Sequence, residues 1–173
     1  REFFGRRFRV TPDTLIPRPE TELLVETVLA RLPADAPCRV LDLGTGSGVI
    51  LLTLLAEWPD ARGIGTDLSA PALAVAAGNA KELGLAARAR FLRADWFAGI
   101  TGHFDLVVCN PPYIAAAEVE RLSPEVRDWE PRAALTAGPT GLEAYHRIAA
   151  RLGSVLAPGG RALFEFGAGQ DAD

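Results

Sequence analysis

From Arg39 onward the chain alternates short apolar runs with longer segments of helical periodicity. RVLDL reads as a strand, VILLTLLAEW as an apolar helix and RGIGTD as a second strand. APALAVAAGNAKELG reads as a helix closed by Gly84, since glycine readily takes the left-handed conformation that ends helices. ARFLRAD, ending at Asp95, and FDLVVC, ending at Asn110, read as third and fourth strands. GLEAYHRIAARLGSVL reads as a helix stopped by PGG, and RALFEFG as a fifth strand. This alternation predicts an α/β fold with a parallel sheet and helices on both faces. The unbroken apolar runs suit strands buried on both sides. Upstream, Phe3, Phe4, Phe8 and Val10 around Gly5 predict a hairpin or extended arm. Pro17 and Pro19 hold LIPRPETE extended. ETELLVETVLARL then predicts a helix with Leu23, Leu24, Thr27, Val28 and Leu32 on one face.

The pattern describes one domain over residues 1–173: an arm and covering segment at 1–19, a leading helix at 20–33, and a core from 38 to 173. With 173 residues, 49% of them hydrophobic, the chain can bury a sizeable core. No apolar run approaches the length of a membrane span, and no membrane partner is expected. Cys38 and Cys109 have neither metal-type nor redox-type spacing and suit a reducing cytoplasm. His103 and His146 are isolated, so no metal site is expected. The net charge of −4 and the lack of like-charge blocks argue against a nucleic-acid partner. The arginines, set against a single Lys81, could still cluster in space. There is no methionine, and the last apolar strand lies close to Asp173, so further residues are expected at both ends.

In parallel α/β sheets, ligands bind beyond the carboxyl ends of the strands. The candidate polar residues fall there: Asp42 with GTGSG, Asp67, Asp95 with Trp96, and Asn110 to Tyr113. Gly44, Gly46 and Gly48 sit in the first strand-to-helix turn, where glycine permits tight turning and close ligand approach. A dinucleotide fingerprint would need a third glycine at position 49, which is Val49. The G-x-G-x-G spacing after Asp42 resembles instead the loop of class I S-adenosylmethionine-dependent methyltransferases. Asp67, about twenty residues on, is placed to accept hydrogen bonds from ribose hydroxyls. Asp95 offers an acceptor to an adenine amine and Trp96 an apolar flank to its ring. A Gly-rich turn also occurs without any nucleotide, and Trp96 alone would equally suit core packing.

NPPY needs a further explanation. Two consecutive prolines remove two N–H donors and end a sheet ladder, but they do not require the flanking Asn110 and Tyr113. A planar amide or exocyclic amine is a poor nucleophile because its lone pair is delocalised. A site that accepts hydrogen bonds from both its N–H groups aims that lone pair at an electrophilic methyl. The Asn110 side-chain carbonyl can take one hydrogen and the Pro111 backbone carbonyl the other. Pro112 helps keep that carbonyl fixed, and Tyr113 offers a flat face for the planar group. Catalysis is then orientation and electrostatic stabilisation, without a strong general base.

With FRVTPDTLIPRPETE, VLDLGTGSG, RADWF, FDLVVCNPPYI, EPRAAL and GLEAYHRI, the chain resembles the HemK/PrmC family of protein-(glutamine-N5) methyltransferases over nearly its whole length. The resemblance implies a Rossmann-like, doubly wound class I fold that uses S-adenosyl-L-methionine and releases S-adenosyl-L-homocysteine. It implies methylation of the glutamine in the Gly-Gly-Gln segment of a peptide-chain release factor, in the cytoplasm. Gly44, Thr45, Gly46, Ser47, Gly48, Asp67, Trp96 and Asn110 would bind the cofactor. Asn110, Pro111, Pro112 and Tyr113 would hold the acceptor. PRPETE would close over the methionine end of the cofactor, with loosely assigned roles for Arg18 and Thr21; Arg18 and Glu20 equally suit a surface ion pair. Glu130 would sit near the substrate or cap a loop. The family's helical N-terminal domain and its sixth and seventh strands have no counterpart here. The alternatives are an adenine-N6 nucleic-acid methyltransferase, which shares GTGSG and NPPY, and a non-catalytic cofactor-binding module.

Overall fold

The computed structural model describes residues 1–32 and 38–170. The linker at 33–37, which includes the last position of the expected leading helix, and the residues 171–173 lie outside the described residues. The arm is a two-stranded antiparallel hairpin of β1 (Glu2–Phe3) and β2 (Arg6–Arg7). Its turn residues Phe4 and Gly5 have φ of 49° and 69°, the left-handed pair that a tight two-residue hairpin needs. Phe4 is held there by its N–H, which donates to Glu22 Oε1 at 2.8 Å. Phe3 and Phe8 are buried and pack edge to face.

Helix α1 (Pro19–Arg31) starts at a proline, as a first helical turn allows. Its buried face is Thr21, Leu24, Val25 and Val28, a spacing of three, four and seven residues from Thr21. The expected face was displaced: Leu23 is 64% exposed. The phase is set by Thr21, which is drawn inward by side-chain hydrogen bonds to Glu165 and Asn110. A count of apolar positions cannot register such a bond.

The core sheet has five parallel strands: β3 (Arg39–Leu43), β4 (Arg62–Asp67), β5 (Ala89–Arg93), β6 (Phe104–Cys109) and β7 (Leu156–Phe164). Their spatial order is β5-β4-β3-β6-β7. Helices α2 (Val49–Glu57) and α3 (Ala70–Glu82) connect the first three strands. Between β6 and β7 come a short 3₁₀ turn (Val119–Arg121), two single-turn helices, α4 (Pro124–Arg127) and α5 (Arg132–Leu135), and α6 (Glu143–Leu152).

The pleat sends alternate residues to two separate cores. Val40, Leu106 and Val108 join the cluster built with α1 and α2, whereas Leu41, Leu43, Val107 and Cys109 join the one containing Ile148 of α6. Helix α2 is buried from Val49 to Leu55, which explains its almost wholly apolar sequence. Close packing likewise explains the glycines of β4, Gly63 against α2 and Gly65 against the loop and β5. A Cβ on Gly63 would lie 2.3 Å from Leu51 Cδ1, and one on Gly65 2.8 Å from Thr45 Oγ1. The fifth strand begins earlier than expected, at Leu156, so PGG lies inside it rather than between helix and strand. A register irregularity between Phe104 and Leu106 accompanies this stretch, and an edge strand tolerates proline.

The order has one functional consequence. The chain winds from β3 to β4 and β5 on one side, then crosses to β6 on the other side of β3. The carboxyl ends of β3 and β6 therefore flank the point where the winding reverses, the place where such sheets bind ligands. Leu43 pairs with Cys109 there, so GTGSG and NPPY leave the sheet side by side.

Candidate active site

The turn after β3 is held by its neighbours on all sides. Gly44, Gly46 and Gly48 have φ of 67°, 54° and 83°, in the region that disfavours any side chain. Thr45 N–H donates to the Thr66 carbonyl at 2.8 Å, and Gly46 N–H to Asp67 Oδ2 at 2.9 Å. From the helix side, Asn79 Nδ2 donates to the Ser47 carbonyl at 2.8 Å and to the Arg9 carbonyl at 3.0 Å, while its Oδ1 accepts from Arg9 N–H at 2.8 Å. One buried amide thus ties the N-terminal arm to the loop. Asn79 lies among Ala72, Val75, Ala76 and Ala80 on the inner face of α3. A polar residue in that phase was the available signal for it.

Below the loop, Asp42 is wholly buried; its Oδ2 accepts from Thr45 Oγ1 at 2.6 Å and its Oδ1 has no hydrogen-bond partner. Burial pushes this carboxyl up to about 7, against the opposing pull of the Thr45 hydrogen bond. An acid whose folded pKa exceeds its unfolded value of about 4 keeps its proton in the native state while the unfolded chain releases it. Its contribution to stability therefore falls as pH rises through that window, by at most about 1.4 kcal/mol per unit. The wild-type chain should lose stability relative to Asp42→Asn between about pH 4 and 7. Denaturant midpoints across that range check this, and a constant difference between the two proteins would reject it.

Thr45, Gly46, Ser47, Asp67, Trp96 and Asn110 all line one cleft of about 310 Å³, together with Gly44, Pro112, residues of the covering segment from Asp13 to Pro17, and Thr21 of α1. Gly48, at the N-cap of α2, is directed into the protein: a Cβ there would meet Leu52 and Ala76. Asp67 has each carboxylate oxygen on a backbone donor, Gly46 N–H and Ser69 N–H, both at 2.9 Å. Trp96 has φ of 53°, a strained value for a bulky side chain that only its surroundings can impose. Its indole N–H is buried without a partner. Asp95 is engaged by Arg147, an exposed ion pair.

A second cavity of about 170 Å³ also borders Asn110, lined by Pro111, Tyr113, Ile114, Leu122, Val126 and Leu135 among others. Asn110, Leu15 and Ala134 border both cavities. Tyr113 is fixed at both ends: its hydroxyl donates to Glu165 Oε1 at 3.2 Å and its carbonyl accepts from Gln170 Nε2 at 3.1 Å. Burial pushes its phenol up to about 12, with the Glu165 charge adding to the shift. A Cβ on Gly141 would sit 2.3 Å from the Tyr113 carbonyl oxygen, so the loop before α6 abuts the tetrapeptide.

Arg18 borders the smaller cavity and donates to Glu130 Oε1 at 2.7 Å. The Glu130 side chain is 2% exposed and that of Arg18 31%, so the pair is part-buried, and the partner of Arg18 is Glu130 rather than Glu20. Glu165 was not singled out in the sequence. It is the first polar residue beyond β7, and the strand-end rule that drew attention to Asp67 and Asn110 applies to it equally.

A parallel sheet wound in this order, with a glycine loop and an acidic strand end on one cleft and NPPY beside them, defines a Rossmann-like class I methyltransferase fold. The methyltransferase small domain family matches residues 19–124, and the chain belongs to that family. It is 58% identical over 170 residues to a release factor glutamine methyltransferase of Cereibacter sphaeroides, covering 98% of this chain and 60% of that protein. The like-named protein of Nitratidesulfovibrio vulgaris is 53% identical, covering 100% and 59%. The chain thus spans about three fifths of the length of the curated relatives it matches. Among solved structures, a SAM-dependent methyltransferase from Thiobacillus denitrificans in complex with S-adenosyl-L-homocysteine is similar, with a TM-score of 0.54 and 28% identity, over 85% of this chain and 48% of that one. The ribosomal protein L11 methylase of Lactobacillus delbrueckii subsp. bulgaricus shares the fold, with a TM-score of 0.60 at 23% identity over 85% and 60% of the two chains.

Proposed function

We propose that the protein uses S-adenosyl-L-methionine to methylate the side-chain amide nitrogen of glutamine in the Gly-Gly-Gln segment of a peptide-chain release factor. The observation that carries this is the pair of cavities sharing Asn110. One has room for an adenosyl ligand, and the other is a smaller, mostly apolar pocket that suits the stem of a side chain. The residues of the larger cleft fit the cofactor. A Cβ on Gly46 would have nothing within 4 Å, so the loop leaves space where a ligand can approach the backbone. The unpartnered Trp96 indole and the Asp67 carboxylate stand in the same wall.

When bound, the cofactor would supply an electrophilic methyl on a sulfonium sulfur; its transfer to the amide nitrogen would leave the neutral thioether S-adenosyl-L-homocysteine, with the displaced N–H proton passing to solvent. The protein's part is positioning. Asp67 receives ribose hydroxyls, and Trp96 flanks the adenine. Asn110 Oδ1 and the Pro111 carbonyl accept the two amide hydrogens, and Tyr113 supports the planar group, so that the lone pair is held in line. Preorganised acceptors then stabilise the positive charge that develops on nitrogen. Release factors act in the cytoplasm, which is where this activity would operate.

The test offers the full-length protein labelled cofactor with a release factor, its Gln→Ala variant, or adenine-containing oligonucleotides. Label should appear on the unmodified release factor alone. A duplex base would have to be flipped out at a cost of a few kcal/mol, and the net charge of −4 does not favour a polyanionic partner. Labelled oligonucleotide, or equal labelling of the Gln→Ala variant, would refute the proposal.

A further inference from the structure

A chain of side-chain hydrogen bonds runs beneath NPPY and joins the ends of β6 and β7 to α1. Asn110 Nδ2 donates to Thr21 Oγ1 at 3.2 Å, and Thr21 Oγ1 donates to Glu165 Oε2 at 2.7 Å. The other carboxylate oxygen, Oε1, takes the Tyr113 hydroxyl at 3.2 Å. Glu165 is itself pinned through its backbone: its N–H donates to the Cys109 carbonyl at 3.0 Å and its carbonyl accepts from the Tyr145 hydroxyl at 2.8 Å. Thr21 is 3% exposed, so its hydroxyl is directed by these protein partners.

The direction of this chain follows from chemistry. A carboxylate has only acceptor sites, and a threonine hydroxyl has a single hydrogen. With that hydrogen given to Glu165, Thr21 Oγ1 can only accept, and the group facing it must be the NH₂ of Asn110. The Asn110 carbonyl is thereby turned away from Thr21. We propose that Glu165 is a positioning residue that sets the orientation of the Asn110 amide, and with it the preference for an NH₂ acceptor over a carboxylate or carbonyl.

The proposal rests on the amide-acceptor reading of the site, and it accounts for a buried threonine on a helix face where leucine would otherwise be expected. Without Glu165, the Thr21 hydrogen becomes free to point at Asn110, and the amide can rotate to present its NH₂ outward. A rotated amide repels an incoming N–H donor. The same carboxylate anchors the Tyr113 ring, so one residue aligns both the acceptor atom and the flat face of the clamp.

The test compares Glu165→Ala, Thr21→Val, Thr21→Ser and the double variant Thr21→Val/Glu165→Ala in the full-length protein. Glu165→Ala and Thr21→Val should each lower kcat on the order of 10²-fold, the loss typical of a misplaced reacting group, with cofactor Kd unchanged in Glu165→Ala, whose side chain does not line the larger cleft. Thr21→Ser, which keeps the hydroxyl, should recover most of what Thr21→Val loses. The double variant should be no slower than the slower single, because both act through Asn110. Multiplicative losses, or a Thr21→Ser variant as slow as Thr21→Val, would overturn the proposal. A readout independent of the acceptor is the Asn110 side-chain amide in ¹⁵N-labelled protein. Its two protons should be distinct and slow to exchange in wild type, and should lose that protection in Glu165→Ala and Thr21→Val. Unchanged signals in both variants overturn the positioning role. Altered signals in a protein that never labels a release factor leave it standing and refute only the substrate assignment.

Discussion

Asn110→Ala should lower turnover on the order of 10²–10³-fold, the cost of losing one preorganised hydrogen bond at a reacting centre, while sparing much of the cofactor affinity. The asymmetry comes from where Asn110 stands. The larger cleft has many other contacts, including the glycine loop, Asp67 and Trp96, whereas Asn110 is, among the described residues, one of three that border both cavities. The other two, Leu15 and Ala134, offer no polar side-chain atom. The variant would therefore lose the one side-chain carbonyl at the junction and leave the acceptor nitrogen free to rotate its lone pair out of line. Single-turnover methyl transfer and calorimetric cofactor binding, measured on the same preparation, separate the two effects. Transfer at a near-normal rate would show that the clamp does not operate.

Much of this arrangement is legible in the sequence, for a local reason. Parallel strands buried on both faces must be apolar throughout, so the first polar residue after each run marks a carboxyl end. Asp67, Asn110 and the GTGSG turn announce themselves in this way. The features that escape depend on partners far along the chain. Thr21 is buried because of Glu165, 144 residues away, and Asn79 because of Arg9 and Ser47. The periodicity of α1 counts Leu23 as core because nothing within the helix announces a hydroxyl that outcompetes a leucine for the inner face. Similarly, PGG reads as a helix stop, whereas it lies inside β7, which is an edge strand among the described residues. The adjacency of GTGSG and NPPY depends on strand order, which no local pattern encodes.

Asp67→Ala should weaken binding of S-adenosyl-L-homocysteine by about 1.5–3 kcal/mol, the range for hydrogen bonds to a charged group, or roughly 10- to 150-fold in Kd. Two mechanisms could produce that loss. The carboxylate can bind the ribose hydroxyls directly. It can also act from below, because Gly46 N–H and Ser69 N–H both depend on it, and a loosened glycine loop would bind any ligand less well. Each oxygen accepts one backbone donor, and a carboxylate oxygen has a second lone pair to offer, so the two roles are compatible. A ligand lacking the ribose 2′ and 3′ hydroxyls distinguishes them. If the contact is direct, the wild-type protein should strongly prefer the complete ligand and Asp67→Ala should bind both nearly alike. If the loss arises from the loop, the mutant should bind both more weakly while keeping the preference intact. The geometry favours the first outcome: Asp67 stands in the cleft wall beside Gly46 and Ser69, and its two backbone bonds hold the carboxylate in a fixed orientation without exhausting it. An undiminished preference in the mutant would place the ribose elsewhere in the cleft.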